Sequence, residues 1–132
     1  MKKSIAIATA SLALTACLAQ WSWTPQDLAG TQWIDASHSK VMHPPGLRFE
    51  RDGKVSGSSG CNQWFGRALL SSDSLRLEPM GMTRMLCDPL SNLVETRFVQ
   101  ALSATRHARL QDQALHLLDA QGQVLWRFTP QP

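Results

Sequence analysis

The sequence has no Gly-x-Ser-x-Gly elbow, no phosphate-cradling P-loop and no His-x₃-His pair of the zinc kind. Those absences remove the hydrolase, nucleotide-binding and zinc signatures that short motifs carry. Charge is also scarce: only 17% of residues are charged, while 43% are hydrophobic and 8 Gly and 7 Pro punctuate the chain. That balance excludes disordered, collagenous and coiled-coil chains and describes a globular one. With 132 residues there is room for one domain and not for a two-domain enzyme. The formal charge of +3 forms no concentrated basic face, because Arg48, Arg51, Arg67 and Arg76 alternate with Glu50, Asp52, Asp73 and Glu78. No nucleic-acid partner is therefore expected. With Lys2 and Lys3 assigned to a targeting segment, 11 basic residues face 10 acidic ones, and the excess nearly vanishes.

What is present begins at the N-terminus. Met1-Lys2-Lys3 is a short positive segment, residues 5–16 are apolar and uncharged, and Leu14-Thr15-Ala16-Cys17 follows. An apolar run of about a dozen residues is too short to span a bilayer, so residues 1–16 read as an export signal. The tetrapeptide resembles the bacterial lipobox, which implies that Cys17 becomes the first mature residue and carries the lipid anchor. Several acyl chains on one cysteine anchor durably where one does not. An ordinary secreted protein cut after Ala19 is the alternative. Residue 18 is Leu and not Asp, which by resemblance to Gram-negative sorting signals points to the outer membrane. Residues 18–27 then form a tether reaching at most about 30 Å. Trp21 and Trp23 lie two apart within it and are expected to pack on the domain rather than at lipid headgroups.

From Leu28 the punctuation is that of a small β protein. Leu47 and Phe49 alternate with Arg48 and Glu50 before an Arg51-Asp52-Gly53 turn and a partner strand at Lys54-Val55-Ser56. Leu75 and Leu77 alternate likewise with Arg76 and Glu78. Strands at 108–110, 115–118 and 124–128, joined by turns at 111–113 and 120–122, predict a C-terminal antiparallel meander. Asp88 as N-cap and Pro89 at the first helical position open an amphipathic helix over 89–103, with Leu90, Leu93, Val94, Phe98, Ala101 and Leu102 on one stripe. The fold expected is mainly β: a small antiparallel barrel-like sheet of about seven or eight strands with one α-helix covering the open side.

Gly60-Cys61-Asn62, then Thr83-Arg84-Met85 and Cys87, then a helix with Glu95, Phe98 and Ala101-Leu102, then a C-terminal hairpin, together resemble the META domain family, the HslJ-like proteins. The likeness spans most of residues 28–130, and its motifs are specific only in combination. Two places depart from it: Trp64-Phe65 puts bulky aromatics after Asn62, and residues 38–45 match nothing in the pattern. The resemblance implies a barrel-like fold and an envelope location, and it implies no reaction.

If Cys17 is lipidated, Cys61 and Cys87 remain as an even pair in an oxidising compartment. They are expected to form a disulfide that stabilises by roughly 3 to 4 kcal/mol. Met80, Met82 and Met85 beside Cys87, with His38 and His43, are soft ligands suited to Cu(I). Methionine also fills gaps in cores, so no metal or cofactor is expected. His107 and His116 fall on strand faces expected to be solvated, and Glu50, Glu78 and Glu95 are read as surface charge. Arg84, among apolar neighbours, is expected to anchor carbonyls or the Asn62 loop; a ligand-site role is the alternative. Two function classes follow. One is a non-enzymatic envelope lipoprotein, stress-associated, that binds an envelope partner through residues 57–62 and 83–87. The other is a small-ligand-binding or lysozyme-inhibitor-like β-barrel module.

Overall fold

The computed structural model describes residues 23–132. The signal segment, Cys17 and Trp21 therefore lie outside the described residues. Eight strands and one helix follow in the order β1 (Gln32–Ile34), β2 (Gly46–Phe49), β3 (Lys54–Ser58), β4 (Gln63–Leu70), β5 (Leu75–Met82), α1 (Pro89–Ala104), β6 (His107–Gln111), β7 (Ala114–Leu118) and β8 (Val124–Pro130). The strands form one antiparallel sheet ordered β5-β4-β3-β2-β1-β8-β7-β6. The two ends of the domain meet at the seam between β1 and β8, Trp33 opposite Pro130 and Ile34 opposite Thr129. The sheet curls until its edges approach: Leu75 N at the start of β5 donates to Arg106 O, just before β6, at 2.9 Å. The result is the half-barrel with one helix that the alternation predicts.

The meander forms as expected. Asp112 and Gln113, at the β6–β7 turn, have φ of 52° and 62°. Two consecutive positive φ values are the requirement of the tight turn that matches strand twist. β4 is the strand that alternation does not announce, because Trp64 and Phe65 are adjacent aromatics. In the fold they take opposite faces: Trp64 is buried with Gly66 and Ala68, and Phe65 is exposed. The register of β4 with β5 shifts between Phe65 and Gly66, where a β-carbon on Gly66 would lie 2.0 Å from Glu78 O. Only glycine permits that approach.

The tether meets the domain before Leu28. Residues Pro25–Leu28 form a 3-10 helix, Leu28 is fully buried, and Trp23 packs against the core.

The helix stripe is displaced from the expected one. Leu90 and Leu93 are exposed, and the buried residues are Ser91, Val94, Phe98, Ala101 and Leu102. The cause is steric. Gly60 lies directly under α1, its φ is +114°, and a β-carbon there would stand 3.0 Å from Ser91 O and Glu95 N. Such proximity admits a small residue, so Ser91 takes the inward position and donates its hydroxyl to Asp88 Oδ2 at 2.6 Å. Its oxygen in turn accepts from Met42 N at 2.9 Å. Gly60→Ala is expected to cost about 2 kcal/mol, combining backbone strain with a displaced helix. A urea titration monitored by tryptophan fluorescence reads it.

Within the half-barrel, Phe49, Trp64, Phe98, Phe128 and a layer of leucines are almost wholly removed from water. Phe98 is the centre of this layer, with ring centroids 5.1 Å from Trp126, 6.0 Å from Phe128 and 6.3 Å from Trp64, all edge-on.

Candidate functional site

The loop between β3 and β4, the segment between β5 and α1, and the second turn of α1 meet at Asn62. Its side chain, 4% exposed, is satisfied on both ends. The carbonyl Oδ1 accepts from Met85 N at 2.6 Å and Thr83 Oγ1 at 3.0 Å. Nδ2 donates to Glu95 Oε1 at 2.9 Å, and Asn62 N donates to Glu95 Oε2 at 2.7 Å. Ser59 Oγ sits within hydrogen-bonding reach of both Glu95 Oε2 and Asn62 O. Burial pushes the Glu95 carboxyl up, but donation from Ser59, the Asn62 side chain and nearby backbone outweighs it and holds the pKa below its ordinary value. Glu95 is thus a structural anion and not free surface charge. A lone acid on a helix carries no sequence signal of this role.

Cys61 and Cys87 form a disulfide with Cα atoms 5.8 Å apart, joining the turn before β4 to the end of the β5–α1 segment. Electrospray mass of the unreduced protein after alkylation is expected to show neither of these thiols labelled. Gly60, Cys61, Asn62, Thr83, Met85 and Cys87 therefore come together at one place. Arg84 does not join them: its side chain is exposed and bonds to neither carbonyls nor the Asn62 loop, so the anchoring role falls to Asn62 instead. Cys17 lies outside the described residues.

The soft-ligand set does not converge either. Cys87 is consumed by the bridge, Met80 is exposed on the sheet, and among the described residues no group of three or more His, Cys, Asp or Glu is placed to hold a metal.

A second polar cluster lies across α1. Asp35, 3% exposed, accepts from Ser37 N at 2.9 Å and Trp126 Nε1 at 2.7 Å, and pairs with His38 Nδ1 at 2.5 Å. His38 stacks on Trp126 with centroids 5.5 Å apart. Burial raises the Asp35 carboxyl, and the bonds from Ser37, His38 and Trp126 more than offset it, leaving the pKa lowered. A shallow groove of about 350 Å³ lies beside this cluster, with Arg97 and Arg127 on its walls. Although an acid, a histidine and a serine are adjacent, they make no nucleophilic relay. Ser37 Oγ approaches the same ring nitrogen that pairs with Asp35, whereas a relay needs the two partners on opposite nitrogens.

His116 differs from expectation. Both its ring nitrogens are buried without hydrogen-bond partners, and burial first, then Arg109 and Arg127, hold its pKa below 6.5 against the opposing Asp112. The unfolded chain therefore binds the proton more readily, so stability is present above the unfolded pKa and is lost as pH falls below it. Urea midpoints are expected to decline between pH 7.5 and 5.5 in wild type and to flatten across that interval in His116→Leu.

A model of the META domain matches residues 16–132. Two solved structures share the architecture. One is an NMR structure of a protein from Burkholderia xenovorans, 20% identical, with a TM-score of 0.66 over 99% of this chain and 97% of that one. The other, also from NMR, is 23% identical with a TM-score of 0.61 over 82% of this chain and 95% of that one. At such identities the likeness shows fold alone. No curated protein matches.

Proposed function

The chain belongs to the META domain family, which is not a known enzymatic family, and we propose that it is a non-enzymatic envelope lipoprotein that acts by binding a partner protein. The observation that carries the binding reading is the Asn62-centred clamp. It spends a disulfide and a partly buried carboxylate on holding residues 83–87 in one shape while the side chains of Thr83, Arg84, Met85 and Leu86 stay in water. The packed interior favours this reading over a small-ligand carrier, since Phe and Leu side chains fill the space a ligand would take. An inhibitor-like module remains compatible with an exposed clamped loop, and both readings use the same surface.

Attachment through a lipid on Cys17, at the periplasmic side of the outer membrane, is supported by the lipobox resemblance, and a bridged Cys61–Cys87 pair suits that oxidising location. A role under envelope stress rests on the family resemblance. Feeding cells an alkyne-bearing palmitate analogue is expected to label wild type in the membrane fraction, and Cys17→Ser is expected to lose both label and sedimentation. Labelling that persists in Cys17→Ser overturns the anchor. For binding, envelope extracts are passed over immobilised wild type and the surface variant Arg84→Ala/Leu86→Ala; partners retained equally by both overturn the assigned surface.

A further inference from the structure

For most of its length β8 is paired on one side only. β1 reaches it through two residue pairs, Trp33 opposite Pro130 and Ile34 opposite Thr129, and the chain then turns away at Asp35 into the 3-10 helix Ala36–His38. Asp35 keeps that turn, accepting from Ser37 N at 2.9 Å and from Trp126 Nε1 at 2.7 Å. Residues 124–128 meanwhile go on pairing with β7 on the other side. Main-chain groups along a strand alternate between its two neighbours. Gln131 N donates to Gln32 O at 2.9 Å, so Thr129 and then Arg127 also turn their main chain toward the β1 side. Thr129 meets Ile34 there, but among the described residues no main-chain hydrogen bond from Ala36–His38 reaches Arg127. The place that β1 vacates is the shallow groove of about 350 Å³ beside Asp35.

The positive charges at this groove have no partners of opposite sign. Arg97 on α1 and Arg127 on β8 both line it and are exposed, and the ion pairs among the described residues, His38–Asp35, Arg48–Glu50 and Lys54–Asp52, use neither. Asp35, the acid that lines the groove, is buried and already engaged by Ser37, His38 and Trp126. An unpaired strand edge is a template for another strand, and main-chain pairing along it is a recurring way to hold a peptide. We propose that this gap is a second binding surface, separate from the Asn62 clamp, which takes an extended acidic segment of a partner protein as a strand added along β8 where β1 leaves it. Pairing with the main chain of Arg127 aligns the segment, and adjacent residues of the added strand point to opposite faces. Trp126 faces α1, its ring centroid 5.1 Å from that of Phe98, so Arg127 takes the other face, beside His116. An acid opposite Arg127 pairs with it across the strands, and the acid next to it turns toward Arg97. Two acidic residues in succession are therefore the feature recognised. A basic segment meets two like charges and is refused.

The probe is a blocked, fluorescein-labelled hexapeptide, Thr-Val-Glu-Asp-Val-Thr, into which the full chain carrying Cys17→Ser is titrated while fluorescence anisotropy is followed. Saturable binding with a Kd of about 100 μM or tighter is expected, the affinity of a short strand held by few contacts. Arg97→Ala/Arg127→Ala, a change in two exposed side chains, is expected to weaken it about tenfold or more, and so is Gln-Asn in place of Glu-Asp in the peptide. In hydrogen exchange the Arg127 amide is expected to be open in the free protein and protected by the peptide, because it then donates to the added strand. Absence of binding, or binding undiminished in the arginine variant, overturns the proposal. A peptide N-methylated at both acids cannot donate to Arg127 O; if it binds as well, or if the free dipeptide Glu-Asp competes equally, the groove holds an anion and no strand, and the proposal falls. Arg84→Ala/Leu86→Ala is expected to bind the peptide as wild type does, and loss of binding there overturns the separation of the two surfaces. The clamp and the β8 edge are thus tested independently of each other.

Discussion

Phe98→Ala lowers the unfolding free energy by about 4 kcal/mol, the magnitude of an aromatic truncation in a core that cannot collapse around the cavity. The ring is completely buried and is the only side chain of α1 that touches three other aromatics edge-on, on β4 and β8. Each edge-to-face contact adds to the area term by about 1 kcal/mol. The half-barrel is rigid at this point, because Trp64 and Phe128 are themselves held in paired strands and cannot move inward to fill the space. Since domains of this size have about 5–15 kcal/mol in total, much of the population unfolds at moderate temperature. Phe98→Leu, which keeps most of the volume, is expected to cost less than half as much. Urea titrations of the three proteins at pH 7 check the order, and equal losses for Ala and Leu would show that α1 is not packed as described.

Glu95→Ala is expected to destabilise by a comparable amount, about 4 kcal/mol, for a different reason. Removing the carboxylate strips Asn62 N and Asn62 Nδ2 of their carboxylate acceptors and leaves Ser59 Oγ only Asn62 O. Asn62 is buried, so water does not replace the lost partner, and hydrogen bonds to an ionised group are the stronger kind. Glu95→Gln keeps the shape but offers one acceptor oxygen where three donors converge, so it falls between wild type and alanine. The variants also separate by pH. The folded pKa of Glu95 lies below its ordinary 4.5, so the stabilisation is complete above that value and is lost as pH falls through the folded pKa. Wild type therefore shows an acid step below about pH 4.5 that Glu95→Gln lacks in part, the remainder belonging to carboxylates such as Asp35. Because Asn62 Oδ1 then loses its fixed orientation, the Glu95 variants should also free the backbone at Met85, visible as faster amide exchange there.

These two residues mark the boundary between what pattern reveals and what contact decides. Phe98 belongs to a helical stripe that Asp88 and Pro89 introduce, so both the helix and the burial of Phe98 follow from spacing and capping chemistry. The meander of β6 to β8 follows from short alternating runs divided by turn residues. Cys61 and Cys87 could be paired by their number and compartment. In contrast, Glu95 resembles any helical acid until Ser59 and Asn62 are placed before it, and its partners are 33 and 36 residues away in the chain. The same distance hides Leu90 and Leu93. Their apolar character suits a buried stripe, but the closeness of Gly60 to the helix backbone rotates Ser91 inward and leaves them in water. The ring nitrogens of His116 are removed from water, between neighbours on β6 and β8 that only the register brings beside it.

Local chemistry in the chain itself determines the strand and helix segments, their turns and caps, and the membership of the META family, because each depends on residues within a few positions of one another or on a recognisable order of motifs. Curling of the sheet decides the rest. It brings the β3–β4 turn, the β5–α1 segment and Glu95 to one point, buries the amide that fixes them, and leaves Arg84 and Leu86 facing outward. Those outcomes depend on long-range packing and desolvation, which a linear pattern of side chains does not encode locally.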